Sequence, residues 1–142
     1  MHRNEYPRPD FVREHWACLN GIWDFEFDDN NIGMSSKWYK KDHKLTEKIN
    51  VPFVFQSKLS NININDFHDF IWYKRKFTID DSWKNKDILL HFGAVDYRCH
   101  VFINGELAGI HEGGHTSFYL NITNYLTWDK EEITVYVEDP SD

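Results

Sequence analysis

The residues most suggestive of chemistry are His111-Glu112-Gly113-Gly114-His115. The order His-Glu-x-x-His is the zinc-protease pattern: two imidazoles on one helix face hold the metal, and the glutamate serves as general base. Two successive glycines oppose a helix here, and the flanking residues alternate as strands do. The pattern therefore predicts a tight turn formed by Gly113 and Gly114, and no metal site is assigned.

The carboxylates raise a second chemistry. Glu112 or Asp96 is a candidate for half of a glycosidase pair, whose carboxyls stand roughly 5 to 9.5 Å apart across a sugar cleft. No spacing marks such a pair, so no catalytic residue is assigned, and Asp96 is expected to bond backbone in a bend. Asp28-Asp29-Asn30-Asn31 offers oxygens to a calcium ion but lacks the ordered ligand spacing of a calcium loop; a turn is expected. Trp38, Trp72, Trp83 and Trp128 are candidates for stacking on sugar rings, weighed against a place in the core or at an interface. Arg75 interrupts an apolar parity, and a buried guanidinium needs a carboxylate; Asp96 or Glu112 is the expected partner. Cys18 and Cys99 are expected to be buried free thiols.

Strands must position these groups. Trp23, Phe25 and Phe27 alternate with Asp24, Glu26 and Asp28, the period of a half-buried strand. Ile49–Phe53 predicts a short strand, with Pro52 at an edge or end. Residues 34–50 predict a loop with a short helix or edge element. In Phe70–Ile79, Ile71, Tyr73, Phe77 and Ile79 share one parity and Trp72, Lys74, Lys76 and Thr78 the other. Asp80-Asp81-Ser82 predicts a turn or one turn of helix capped by Asp or Ser. Ile88–Phe92 is apolar on both parities apart from His91, which predicts a central strand. Val101–Ile110 brackets Asn104-Gly105, the preferred loop of a type I′ hairpin because both residues need φ > 0. Phe118, Leu120 and Ile122 alternate, Thr123 is placed to cap a turn through Leu126, and Ile133, Val135 and Val137 form a last strand. Many short strands, Gly-marked turns and no sustained helical period predict an all-β antiparallel sandwich or jelly roll.

The chain of 142 residues fits one domain, 1–142, with a sizeable core; aromatics make up 17% of it. A net charge of -7 argues against nucleic acid or an anionic membrane as main partner, since both need a basic footprint. The N-terminus has no apolar signal region and no apolar run is long enough to span a bilayer, so a cytoplasmic location is expected. Asn121-Ile122-Thr123 matches a glycosylation sequon, which carries little weight without a secretion signal.

The order of the pieces carries a resemblance. Tyr6-Pro7-Arg8-Pro9, Leu19-Asn20-Gly21-Ile22-Trp23-Asp24-Phe25, Val51-Pro52-Phe53, Gln56-Ser57-Lys58-Leu59-Ser60 and Trp72-Tyr73-Lys74-Arg75-Lys76-Phe77 come first. Leu89–Tyr97, Val101-Phe102-Ile103-Asn104-Gly105, Gly109–Thr116, Asn121-Ile122-Thr123 and Val137-Glu138-Asp139-Pro140 follow. In this order they cover nearly the whole chain, which resembles the N-terminal sugar-binding domain of glycoside hydrolase family 2, the β-galactosidase and β-glucuronidase group. The resemblance implies a galactose-binding-like jelly roll and a retaining enzyme several times this long, with an immunoglobulin-like domain and a TIM barrel to follow. The two catalytic glutamates of such an enzyme lie in the barrel, so the chain itself is expected to be inactive and to need no cofactor. The resemblance also implies that this domain lends a loop to the rim of the barrel's active site, just before the Trp-Tyr strand. Asn65, His68 and Asp69 occupy that neighbourhood. A self-sufficient carbohydrate-binding module and a purely structural scaffold are the alternatives.

Overall fold

Trp23 and Phe25 turn inward while Asp24 and Glu26 turn outward, and this alternation makes β1 (Gly21–Phe27) one strand of a sheet with a buried inner face. The computed structural model describes residues 19, 21–51, 69–92, 98–112 and 118–138. The further strands are β2 (Glu47–Val51), β3 (Phe70–Phe77), β4 (Leu89–Phe92), β5 (Arg98–Ile103), β6 (Glu106–Glu112), β7 (Phe118–Asn121) and β8 (Glu131–Glu138). Six of them form one sheet in the order β2-β1-β3-β8-β5-β6, and β4 pairs with β7 in a second. Among the described residues every pairing is antiparallel. The all-β antiparallel class is the one predicted. Among the described residues no helix is long and apolar enough to cross a membrane.

The main core lies between the two sheets. Trp23, Ile71, Tyr73, Cys99, Val101, Ile133 and Val135 from the large sheet meet Leu90, Phe92 and Phe118 from the small one. The rings of Phe92 and Phe118 stack 4.9 Å apart. The sheets approach so closely at Gly109 that a Cβ there would come within 2.6 Å of Leu120. The hairpin of β5 and β6 turns at Asn104 (φ 53°) and Gly105 (φ 85°), the left-handed pair that a type I′ loop requires.

A second apolar layer covers the outer face of the large sheet. Trp72, Phe102, Tyr136 and Leu45 are buried there, with Trp38, Tyr39 and Phe70 packed against them. Tyr39 stacks on Phe102 at 4.6 Å, and Trp72 on Tyr136 at 4.5 Å. The cover is the segment that follows β1, so four successive residues of β3, Ile71 to Lys74, are buried on alternating faces.

Residues 34–46 make turns and bends and lead into the edge strand β2, so of the two elements expected there the edge one forms and the short helix does not. Three expectations change. Among the described residues β4 pairs with β7 alone, and its Leu89 is 57% exposed, so it is not central; an apolar run on both parities here reflects one core face and one bare one. A short 3-10 turn does run over Thr123–Tyr125, but Thr123 gives it no side-chain cap. Its hydroxyl instead accepts from Ile88 N at 2.8 Å and donates to Asn121 at 2.6 Å, tying β7 to the approach of β4. Trp72 is fully buried, which removes it from any sugar-stacking role. The turn after β3 is as expected, with Asp80 capping Ser82 N of the 3-10 turn Asp81–Trp83.

Cys99 is a free, fully buried thiol, and burial pushes its pKa up to about 12. Cys18 lies outside the described residues. In a Cys18→Ser background, Ellman's reagent is expected to find no reactive thiol until denaturant is added; stoichiometric reaction of the folded protein would contradict this placement.

Candidate functional site

His111 and Glu112 are the last residues of strand β6, so no helix face exists at that point for a zinc-protease pair. The His111 ring stacks on Phe118 at 3.9 Å, and Glu112 pairs with Arg98 at 3.1 Å. Gly113, Gly114 and His115 lie outside the described residues, as does Asp96. Among the described residues no three His, Cys, Asp or Glu side chains group to hold a metal ion.

Arg75 donates to the carbonyl of Leu19 at 2.6 Å. Of the two carboxylates expected for it, Glu112 belongs to Arg98. A Cβ at Gly21 would fall 2.9 Å from the Arg75 guanidinium, so the glycine makes room for this contact.

Asp28 is buried, where the strand alternation predicted an outward carboxylate. Its oxygens accept from Ile32 N and Gly33 N, each at 2.8 Å, and from Trp72 Nε1 at 2.9 Å. Those donors are what a carboxylate would otherwise trade for calcium, so the turn reading stands and the ion reading falls. Trp38 and Trp128 are half-buried like Trp83, Trp38 against the outer layer and the other two against the main core.

Asn65 and His68 lie outside the described residues. Asp69 is half-buried in a bend immediately before β3.

The arrangement richest in polar chemistry was not anticipated. Lys74, on the Trp72 face of β3, is only 3% exposed. Its ammonium donates to the carbonyls of Trp38, Lys40 and His43 at 2.7, 3.0 and 2.8 Å. Glu132 of β8, also buried, stands 3.7 Å away and accepts from Asp42 N at 3.1 Å. Burial pushes Lys74 below its ordinary pKa and Glu132 above its own, and the attraction between them opposes both shifts. Burial also lowers the pKa of His43, helped by the charge of Lys74. The sequence signal for this clamp was a lysine sharing a strand face with a buried tryptophan.

Above the clamp opens a cleft of about 350 Å³, with Asp24, Asp42, Lys44, Lys76 and Ile22 around its mouth. Lys76 pairs with Asp42 at 2.8 Å and Lys48 with Asp24 at 2.6 Å. Both pairs are solvent-exposed, hence weak and readily exchanged. The Lys76 hydrogen bond and charge, then Lys41 and Lys44, hold the Asp42 carboxyl below the usual range.

Comparison with known proteins agrees with the fold. The family model described as glycosyl hydrolases family 2, sugar binding domain, matches residues 16–142. The chain is 30% identical over 130 residues to a beta-glucuronidase of Felis catus, which covers 85% of this chain and 20% of that protein. It is 27% identical over 121 residues to a beta-galactosidase of Thermoanaerobacter pseudethanolicus, covering 84% of this chain and 14% of the relative. A solved beta-glucuronidase of Ruminococcus gnavus superposes with a TM-score of 0.76 at 27% identity, over 95% of this chain and 24% of that one. The chain thus spans between 14% and 24% of the lengths of these relatives. Its strands and the family match over residues 16–142 give one answer: the chain belongs to glycosyl hydrolases family 2, as the sugar binding domain of that family.

Proposed function

We propose that this chain is the N-terminal, non-catalytic domain of a larger β-glycoside hydrolase with the retaining mechanism. In this reading the domain is a jelly-roll sandwich of the galactose-binding type. An immunoglobulin-like domain and a TIM barrel of the same polypeptide carry the interface and the two catalytic glutamates. The enzyme acts on β-glycosides in the cytoplasm, and the segment holding Asn65, His68 and Asp69 reaches the rim of the barrel's substrate entrance.

The observation that carries this reading is the engagement of the buried carboxylates. Asp28, Glu131 and Glu132 are the acidic residues buried in the described part of the chain, and each is occupied by backbone or side-chain donors. A retaining pair needs two carboxyls roughly 5 to 5.5 Å apart facing a sugar, one of them free to attack. The chain's small share of its hydrolase relatives' lengths also supports a catalytic centre located elsewhere.

One panel of nitrophenyl β-glycosides tests the proposal. The 142-residue chain is expected to turn over none of them, and the full-length protein at least one. Asp69→Ala in the full-length protein is expected to lower kcat/KM by about tenfold, the value of one polar contact at roughly 1.4 kcal/mol. Turnover by the isolated chain would refute the non-catalytic reading, and an unchanged kcat/KM would remove Asp69 from the rim.

A further inference from the structure

We infer that the cleft above the Lys74–Glu132 clamp binds an acidic saccharide, with Lys44 and Lys76 holding its acid group and Asp24 and Asp42 accepting its hydroxyls. The inference rests on membership of the sugar-binding family and is independent of the rim role proposed for Asp69.

Charge distribution is the first support. The chain is acidic overall, at -7, yet residues 37–48 and 74–76 hold eight of its sixteen Lys and Arg residues. The turn segment and β3 bring these two stretches to one end of the large sheet's outer face, where Lys74 bonds the carbonyls of Trp38, Lys40 and His43. The depressed Asp42 carboxyl reports the same positive surroundings. A basic focus on an acidic protein draws an anion to one place and away from the rest.

The form of the cleft is the second support. At about 350 Å³ it lies at the lower end of small-molecule pockets, in the range of a small saccharide. Its floor is rigid because Lys74 and Glu132 are buried and satisfied. Its mouth is adaptable because the ammonium of Lys76 is half-exposed and pairs with exposed Asp42. A bound carboxylate or sulfate can replace Asp42 at Lys76 at little cost, which frees the Asp42 oxygens for sugar hydroxyls. The exposed side chain of Ile22 offers apolar surface to a ring face.

Affinity electrophoresis of the full-length protein tests the inference, in native gels cast with polygalacturonate, heparin or neutral galactan. The salt is set at about 0.1 M, where charges beyond about 10 Å are screened. Retardation is expected in at least one acidic gel and absent in galactan; retardation by polygalacturonate shows that a carboxylate suffices, and retardation by heparin alone shows that sulfate is required. Lys44→Gln/Lys76→Gln is expected to weaken retardation about fivefold or more. Lys84→Gln/Lys86→Gln, placed on the turn after β3, is expected to change nothing. Absence of retardation, equal retardation by galactan, or equal loss in both double variants would overturn the inference. Turnover plays no part in the readout, so such a failure leaves the rim proposal as it stood.

Discussion

Glu131→Ala is expected to destabilise the domain by about 3 to 5 kcal/mol, a large share of the 5 to 15 kcal/mol typical of a folded domain. Glu131 is fully buried at the start of β8. Its carboxylate accepts from Trp128 N at 2.7 Å, Thr127 N at 2.9 Å, Thr127 Oγ1 at 3.1 Å and Asn104 Nδ2 at 2.7 Å. Removing it strands two backbone N–H groups and an amide, and a buried donor without a partner loses far more than an average hydrogen bond contributes. Asn104 extends the effect. Its Nδ2 also donates to Tyr125 O at 2.9 Å, its Oδ1 accepts from Glu132 N at 2.9 Å, and its backbone N donates to Glu132 O at 2.8 Å. One carboxylate therefore fixes the β5–β6 hairpin tip and the loop into β8, including Trp128 at its positive φ of 65°. Glu131→Gln keeps one acceptor oxygen and is expected to fall midway. Urea unfolding measures the change as a lower midpoint at constant m; a loss under about 1 kcal/mol for the alanine variant would show that the loop re-pairs with water.

The contrast between what the residues announced and what they concealed follows from distance along the chain. The β1 alternation and the Asn104-Gly105 turn were legible because each is decided by neighbours one or two positions away. The burial of Trp72 was not, because alternation tests one face of a strand and assigns the other to water. Here that other face is covered by the turn segment carrying Trp38, Tyr39 and Leu45, about thirty residues earlier in the chain, and a strand with two covered faces loses its polar parity. Asp28 was misjudged for the same reason: its carboxylate lies on the outer face, as the alternation placed it, but the cover closes over it and over the indole N–H it accepts from. A Cβ at Gly33 would collide with that indole, so the turn, the carboxylate and the tryptophan form one unit. Lys74 left a weaker trace still, since its partners are backbone carbonyls, which have no side-chain signature in a sequence. Of the rim residues assigned by resemblance, Asn65 and His68 lie outside the described residues, and the rim role of Asp69 depends on a barrel that is not part of this chain.

Lys74→Met should be the other severe change, at about 3 to 5 kcal/mol, the usual effect of removing one member of a buried ion pair. Methionine fills the volume of the lysine stem, so packing changes little, while the carbonyls of Trp38, Lys40 and His43 and the Glu132 carboxylate all lose their cation. Three carbonyls converging on one ammonium shape the segment that carries Trp38 and Tyr39 over Trp72 and Phe102. The loss should therefore appear locally before it appears globally, as faster amide exchange across residues 38–43 under native conditions. Glu132→Gln leaves the ammonium its carbonyls and an amide oxygen, and should be milder. The double variant Lys74→Met/Glu132→Gln should lose less than the two single losses together, with a coupling of about 1 to 3 kcal/mol, because the second change removes a charge that the first has stranded. Additivity within about 0.5 kcal/mol would mean that the ammonium answers to the carbonyls alone. In that event Glu132 would serve Asp42 N, to which it already accepts at 3.1 Å, and the cleft floor would rest on two separate supports instead of one ion pair.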